Sequence, residues 1–413
     1  MSDFIEKYRL IDRLQDSNIN FLFGSGMSAG YLEILGNIEQ LLTDLDKEKS
    51  IDDKQRGLLR ASILNKYFDG VIEKNLYILD STPILDTFPE QVSLIIWALD
   101  SYKTFLKTIN QLILHRRNKL LSKQVNIFTT NIDIFLEKAV EKLGLESNDG
   151  FGKGFKPKYD LSNFKKSIFQ KSLHFDNSSE IPVFNILKIH GSLTWRYDDG
   201  SVYFDNTLVQ VQKVKSTAKS NLVDVATRDD GANKKDDLKS LITKLPKTID
   251  ENKFKNFLTE YDKLSIVNPT KGKFQQTVID QKYYDLLRIY ANELERENTL
   301  LFVMGFSFAD EHIRDLTIRV ANSNPTLMIY VFAHSGNAKA DLESYLNIEE
   351  NVKNKNIIIV SPSQTVEDGV LKDEFKYSFD EINEKVFKKV LEKISKNTPS
   401  KVFKATLESF NNE

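Results

Sequence analysis

Phe21-Leu22-Phe23-Gly24-Ser25-Gly26-Met27-Ser28 is a short apolar run that passes into two glycines and a serine. It reads as a buried strand over 19–23 that delivers a small-residue turn. Such a turn lets backbone amides approach a phosphate where a Cβ would block the way. By itself the pattern equally describes an ordinary tight turn. The fingerprint Gly-x-Gly-x-x-Gly is not met, since Met27-Ser28-Ala29 precede Gly30. No Gly-Lys-Ser/Thr follows either, which argues against a P-loop.

Composition narrows the class. The chain of 413 residues is long enough for two domains or for one domain with an insertion. It is 40% hydrophobic and 28% charged, as expected of a core-forming protein. The 57 basic residues nearly cancel the 59 acidic ones, so neither nucleic acid nor anionic membrane is expected as a direct partner. No apolar run reaches the roughly 18 residues of a membrane span, and the acidic N-terminal stretch lacks a signal-peptide core. With no cysteine in the chain, disulfides and thiolate-bound zinc are excluded. These features predict a cytoplasmic enzyme.

Around the opening turn, Phe4, Tyr8, Ile11 and Leu14 recur at helical spacing and predict one helix beginning at Ser2. Residues 31–123 read as mostly helical. The strongest part is 92–114, with Leu94, Ile95, Ala98, Leu99, Tyr102, Leu106, Ile109 and Ile113 on a broad apolar face. So long a helical stretch is an insertion and not a simple crossover. It either caps a ligand crevice or braces the fold. Residues 213–255 turn polar, with Arg228-Asp229-Asp230-Gly231-Ala232-Asn233-Lys234-Lys235-Asp236-Asp237 at their centre, and read as a solvated, flexible excursion. A last amphipathic helix carries Ile382, Val386, Val390 and Ile394 behind a capping box, Ser378-x-x-Glu381.

Three further strand ends carry polar residues. A strand over 125–128 ends in Thr129-Thr130-Asn131-Ile132-Asp133, before a helix stopped by Gly144. Polar groups at such a junction sit where open α/β sheets bind ligands. Capping of the helix by Thr130 or Asn131 is the competing reading. A strand over 183–188 delivers His190-Gly191, where a structural histidine is the competing reading. A strand over 299–304 delivers Gly305-Phe306-Ser307, and Asp310 is placed to cap the next helix. Strands over 327–332 and 357–360 follow. Strand, turn and helix recurring this way predict an α/β fold with a mostly parallel, Rossmann-like sheet.

Gly24-Ser25-Gly26-Met27-Ser28, Thr129-Thr130-Asn131-Ile132-Asp133, His190-Gly191 and Gly305-Phe306-Ser307, in that order, resemble the sirtuin family pattern Gly-Ala-Gly-x-Ser, Thr-Gln-Asn-x-Asp, His-Gly and Gly-Thr-Ser. The resemblance implies a sirtuin-like Rossmann domain over 1–32 and 123–362, with a helical insertion at 33–122. The charged excursion at 213–255 and a C-terminal helical extension at 363–413 complete the organisation. It implies catalytic roles for Asn131 and for His190 as base. Binding of NAD as substrate would fall to Gly24, Ser25, Gly26, Ser28, Thr130, Asp133, Gly305, Ser307 and Asp310.

Protein-deacylating sirtuins carry a four-cysteine zinc ribbon and continue the first motif as Gly-Ile-Pro-Asp-Phe-Arg. This chain has no cysteine, reads Tyr31-Leu32-Glu33-Ile34 after Gly30, and has Thr130 where Gln is usual. No zinc is therefore expected. The stretch 305–313 resembles instead the sirtuin-like domains of bacterial antiphage defence, and the compact size is most similar to that of the partner of a HerA-type ATPase. That resemblance implies an NAD glycohydrolase acting in a homo-oligomer with a hexameric HerA-type ATPase. A deacylase or ADP-ribosyltransferase, and a non-catalytic NAD-binding module, are the alternatives. The apolar face around Val386 and Val390 and the helical insertion are the two candidate docking features, with packing of each on its own domain as the competing reading.

Overall fold

The strand at 18–23 lies at the centre of one sheet in the computed structural model, which describes residues 2–34, 36–116, 118, 120–228, 234–267, 277–367 and 370–396. Residues 229–233 of the charged stretch and 397–413 of the C-terminal extension lie outside the described residues. Seven strands form this sheet among those described: β1 (Asn18–Phe23), β2 (Gln124–Thr129), β3 (Ser147–Asn148), β4 (Val183–Lys188), β5 (Thr299–Met304), β6 (Met328–Phe332) and β7 (Ile357–Val360). Their order is β7-β6-β5-β1-β2-β4-β3, and every pairing is parallel. The chain runs from β1 to β2 and out to the edge strand β3, steps back to β4 between β2 and β3, then crosses to the other side of β1 at β5. The C-terminal ends of β1 and β5 therefore flank the point where strand order reverses, which is where doubly wound sheets form a ligand crevice.

Alternate residues of these strands supply two apolar layers. Phe21, Phe23 and Ile127 face one cluster, and Leu22 and Phe128 face the other. On the first face Phe21 stacks on Phe302 at 5.4 Å and meets Phe105 edge-on at 4.9 Å. On the second, the helices Thr277–Leu294 and Glu311–Ser323 contribute Tyr290 and Val320. Because both faces are covered, the strands read as continuous apolar runs.

One polar row crosses the buried sheet. Asn20, Asn126, Asn185 and Asn148 stand opposite one another on β1, β2, β4 and β3. Asn126 Nδ2 donates to Asn20 Oδ1 at 2.8 Å, Asn185 Nδ2 to Asn126 Oδ1 at 2.8 Å, and Asn148 Nδ2 to Asn185 Oδ1 at 2.9 Å. Glu293 anchors the row from helix Thr277–Leu294, accepting from Asn126 Nδ2 at 3.2 Å. A one-residue slip of any strand would break this row, so it specifies register.

Several expectations are corrected. The helix read from Ser2 is two helices, Ser2–Lys7 and Leu10–Asp16, because Arg9 between them adopts a left-handed conformation (φ 47°). In the long helix Pro89–Leu114, Leu94 is exposed with Ile96 and Trp97, so its apolar residues exceed the face that packs inward. Ser378 occupies the N-cap of Phe379–Ile382 but makes no side-chain cap bond, so the capping box does not form. Val386 and Val390 are fully buried against helices Pro89–Leu114 and Leu10–Asp16, which removes that face as a docking surface. In the stretch 213–255, Val223, Val225, Leu238 and Leu241 are buried, and Val223 N donates to Ser62 Oγ at 2.9 Å. Spaced apolar residues draw this charged segment onto the helix Asp53–Tyr67.

Candidate active site

Four strand-end turns converge at the C-terminal edge of the sheet. The turns after β1 and β5 pack backbone against backbone: Gly24 N donates to Met304 O at 3.0 Å and Gly26 N to Gly305 O at 2.9 Å. A Cβ on Gly24 would stand 2.4 Å from Gly305 O, and one on Gly26 would stand 2.8 Å from Gly305 Cα. Gly305, at φ +63°, would bring its Cβ within 2.6 Å of Met27 N. The glycines are thus required first by the meeting of the two turns. That close meeting leaves Ser25, Gly305 and Ser307 at the lip of a cleft of about 240 Å³.

Ser28 follows the first turn and is buried. Its Oγ donates to Asp133 Oδ2 at 2.8 Å and lies 3.0 Å from the Tyr102 hydroxyl. Because Ser28 has one proton and gives it to the carboxylate, the Tyr102 hydroxyl is the donor in the second bond. Burial, and then the Asp133 charge, push the Tyr102 phenol well above its ordinary range, so it stays neutral.

After β2, Thr130 N donates to Phe23 O at 3.1 Å, and Asn131 N to Thr129 Oγ1 at 3.0 Å. Helix Phe135–Leu143 begins after Ile134 with no side-chain cap, while Asp133 Oδ1 accepts from Phe135 N at 3.2 Å. Neither Thr130 nor Asn131 is spent on capping, and both line the cleft. Asn131 is largely buried. Its Nδ2 makes no geometric hydrogen bond among the described residues, although the amide approaches the Tyr102 hydroxyl.

After β4, Ile189 N donates to Thr129 O at 2.8 Å, joining the third turn to the second. Gly191, at φ +78°, packs against Ser265, whose carbonyl would lie 2.3 Å from a Cβ. His190 Nε2 is 3.1 Å from Asp310 Oδ2. The Asp310 Oδ1 accepts from His312 N at 3.0 Å and Ile313 N at 3.3 Å, capping helix Glu311–Ser323. One carboxylate therefore starts a helix and orients an imidazole.

Ser25, Ser28, Thr130, Asn131, Asp133, His190, Gly305, Ser307 and Asp310 all line this single cleft, with Gly24 and Gly26 packed behind its Gly305 lip. Leu32, Glu33, Ile34, Tyr67 and Val71 also line the cleft. Sequence reading did not identify Tyr102 or Lys188 as parts of the site. Lys188 is a charge at the end of a wholly buried strand, which was the available signal. Asn75 Oδ1, from the helical stretch, accepts from Ile134 N at 3.0 Å.

The arrangement places an oriented imidazole and a buried amide in one partly apolar cleft, as suits the positioning of a hydroxyl or a water for attack. The family model for the SIR2-like domain matches residues 125–357, from β2 to the first residue of β7. The turn after β1 precedes that match. No curated protein matches the chain.

Proposed function

The chain belongs to the SIR2-like family, and from that premise we propose that it is an NAD glycohydrolase that releases nicotinamide and ADP-ribose. The observation that carries this reading is the placement of the buried Asn131 amide and the Asp310-oriented His190 in one cleft. Cleaving the nicotinamide–ribose bond develops positive charge at the sugar carbon, and nicotinamide leaves without protonation. The protein must therefore position a nucleophile, supply a base and exclude competitors. His190, whose imidazole is oriented by Asp310, suits the base, and Asn131 orients water or ribose without adding charge. Ser28, Thr130 and Asp133 are assigned to the nicotinamide-ribose side, and Ser25, Gly305 and Ser307 to the phosphates and the far ribose.

Hydrolysis is favoured over deacylation because the chain has no cysteine to build a zinc ribbon of the deacylase type. Purified protein incubated with NAD should release nicotinamide and ADP-ribose in equal amounts, with or without an acetyl-lysine peptide. Release that requires the peptide and yields an acetylated ADP-ribose would assign a deacylase instead.

The resemblance to antiphage systems extends the proposal. Unrestrained NAD loss would kill the host cell, so the enzyme requires a gate, and a homo-oligomer docked on a hexameric HerA-type ATPase would supply one. Light scattering of the chain with and without the ATPase tests this. A monomer whose turnover ignores the ATPase would end it.

A further inference from the structure

We propose that Lys188 is a positioning residue: its buried ammonium locks the turn that carries Asn131 and Asp133, setting both side chains against His190. This rests on the glycohydrolase reading of the same cleft. Lys188 is the last residue of β4, and its side chain is 5% exposed. The Nζ donates to Asn131 O at 3.2 Å and to Asp133 O, and pairs with Glu137 Oε1 at 3.0 Å. Three protons meet three acceptors, so the ammonium is fully satisfied without water.

The geometry joins elements that the proposed chemistry needs in fixed relation. Asn131 and Asp133 belong to the turn after β2, and Glu137 to the first turn of the following helix. His190 follows Lys188 by two residues. A single side chain therefore ties the His190 strand to both ends of the Asn131 turn. Leu193 N adds a backbone bond to Ile132 O at 3.1 Å, in the middle of the same turn.

Charge balance gives Glu137 a second role. A lone buried ammonium here would oppose the positive charge that develops when the glycosidic bond breaks. Glu137 neutralises it at contact distance, so the clamp acts through geometry without biasing the local potential. Removing the lysine alone takes the ammonium from two carbonyls and leaves the Glu137 carboxylate, among the described residues, with only the long bond from Ser192 Oγ at 3.5 Å.

The test compares wild type with Lys188→Met, Lys188→Arg and the charge-free pair Lys188→Met/Glu137→Leu. Hydrogen exchange is followed at the amides of residues 130–135, alongside NAD turnover and thermal unfolding. In Lys188→Met these amides should exchange at least about tenfold faster. The kcat should fall on the order of a hundredfold, as for a small misplacement of reacting groups. The KM should move by less than about threefold. Lys188→Arg should recover part of the loss. If Lys188→Met does not fold, the charge-free pair carries the same expectations. Unchanged exchange and kcat in a folded variant would overturn the proposal. So would a kcat loss that merely follows global unfolding. Should wild type release no nicotinamide, the glycohydrolase reading fails, and the exchange measurement alone decides the role of Lys188.

Discussion

His190 and Asp310 are 120 residues apart in the chain, yet the imidazole Nε2 sits 3.1 Å from Asp310 Oδ2. The Oδ1 of that carboxylate accepts the first amides of helix Glu311–Ser323. The helix start and the histidine orientation are consequently one device. Whatever moves the cap moves the imidazole.

Asp310→Asn separates the two jobs. Asparagine caps helices about as well as aspartate, so unfolding stability should change by less than about 0.5 kcal/mol. Turnover of NAD should fall at least about tenfold, because the charged partner of the imidazole is gone. Asp310→Ala should lose the activity and about 1 kcal/mol of stability as well. Thermal unfolding paired with initial rates checks both, and equal stability losses in the two variants would dissociate the cap from the histidine.

The buried chain from Tyr102 through Ser28 to Asp133 predicts an order of effects. Tyr102→Phe removes the terminal donor and leaves the Ser28–Asp133 bond, at about 1 kcal/mol. Ser28→Ala strands a phenol and a carboxylate oxygen together, at about 1–3 kcal/mol. Ser28→Ala should therefore be the less stable variant in urea titration. The reverse order would mean that the hydroxyl contacts do not govern this region.

Gly26→Val should lose stability as well as NAD binding. Its Cβ would meet Gly305 Cα at 2.8 Å, backbone that cannot step aside without opening the β1–β5 crevice. Gly305→Ala adds a left-handed residue, costing roughly 1–2 kcal/mol, to a similar clash. Calorimetry with NAD and thermal unfolding should fall together. A variant that binds normally and melts normally would show that the two turns can separate.

The architecture and the four turns that line the cleft were legible in the sequence because both are written as strand ends. A buried strand must be a continuous apolar run, and a polar cluster at its end marks the handover to a turn. That logic located the turns at Gly24, Asn131, His190 and Gly305. It says nothing of side chains that reach the site from elsewhere. Tyr102 sat among apolar residues of a helix, and its hydroxyl left no periodic trace. Lys188 looked like a strand-ending charge. The asparagines of β1, β2 and β4 each recur inside an apolar run, yet their ladder exists only once register is known. Short strands such as Ser147–Asn148, and the hairpin of Trp195–Asp198 with Ser201–Phe204, form by pairing and carry little pattern of their own. Val386 and Val390 are an apolar stripe whichever partner covers them, and here the partner is their own fold.

Glu293 predicts a pH dependence. Burial alone would raise its pKa, but Lys165 at 2.5 Å and Arg296 at 3.0 Å outweigh it and hold the carboxyl below its ordinary value. A depressed carboxylate contributes stability that is present above its unfolded pKa of about 4.3 and is lost as pH falls through the lower folded value. Glu293→Gln should be less stable than wild type at pH 7, and the gap should close as pH drops below about 4. A gap independent of pH would place the effect in the Asn126 bond instead of the charge.

The central claim is that the Asn131 amide and the His190 imidazole cleave NAD together. Single-turnover release of nicotinamide by wild type, Asn131→Ala and His190→Ala, each shown to be folded, measures it directly. Wild type should release nicotinamide and ADP-ribose one for one, and each variant should bind NAD but cleave it on the order of a hundredfold more slowly. Near-normal release by either folded variant, or none by wild type with or without the ATPase, would contradict the account.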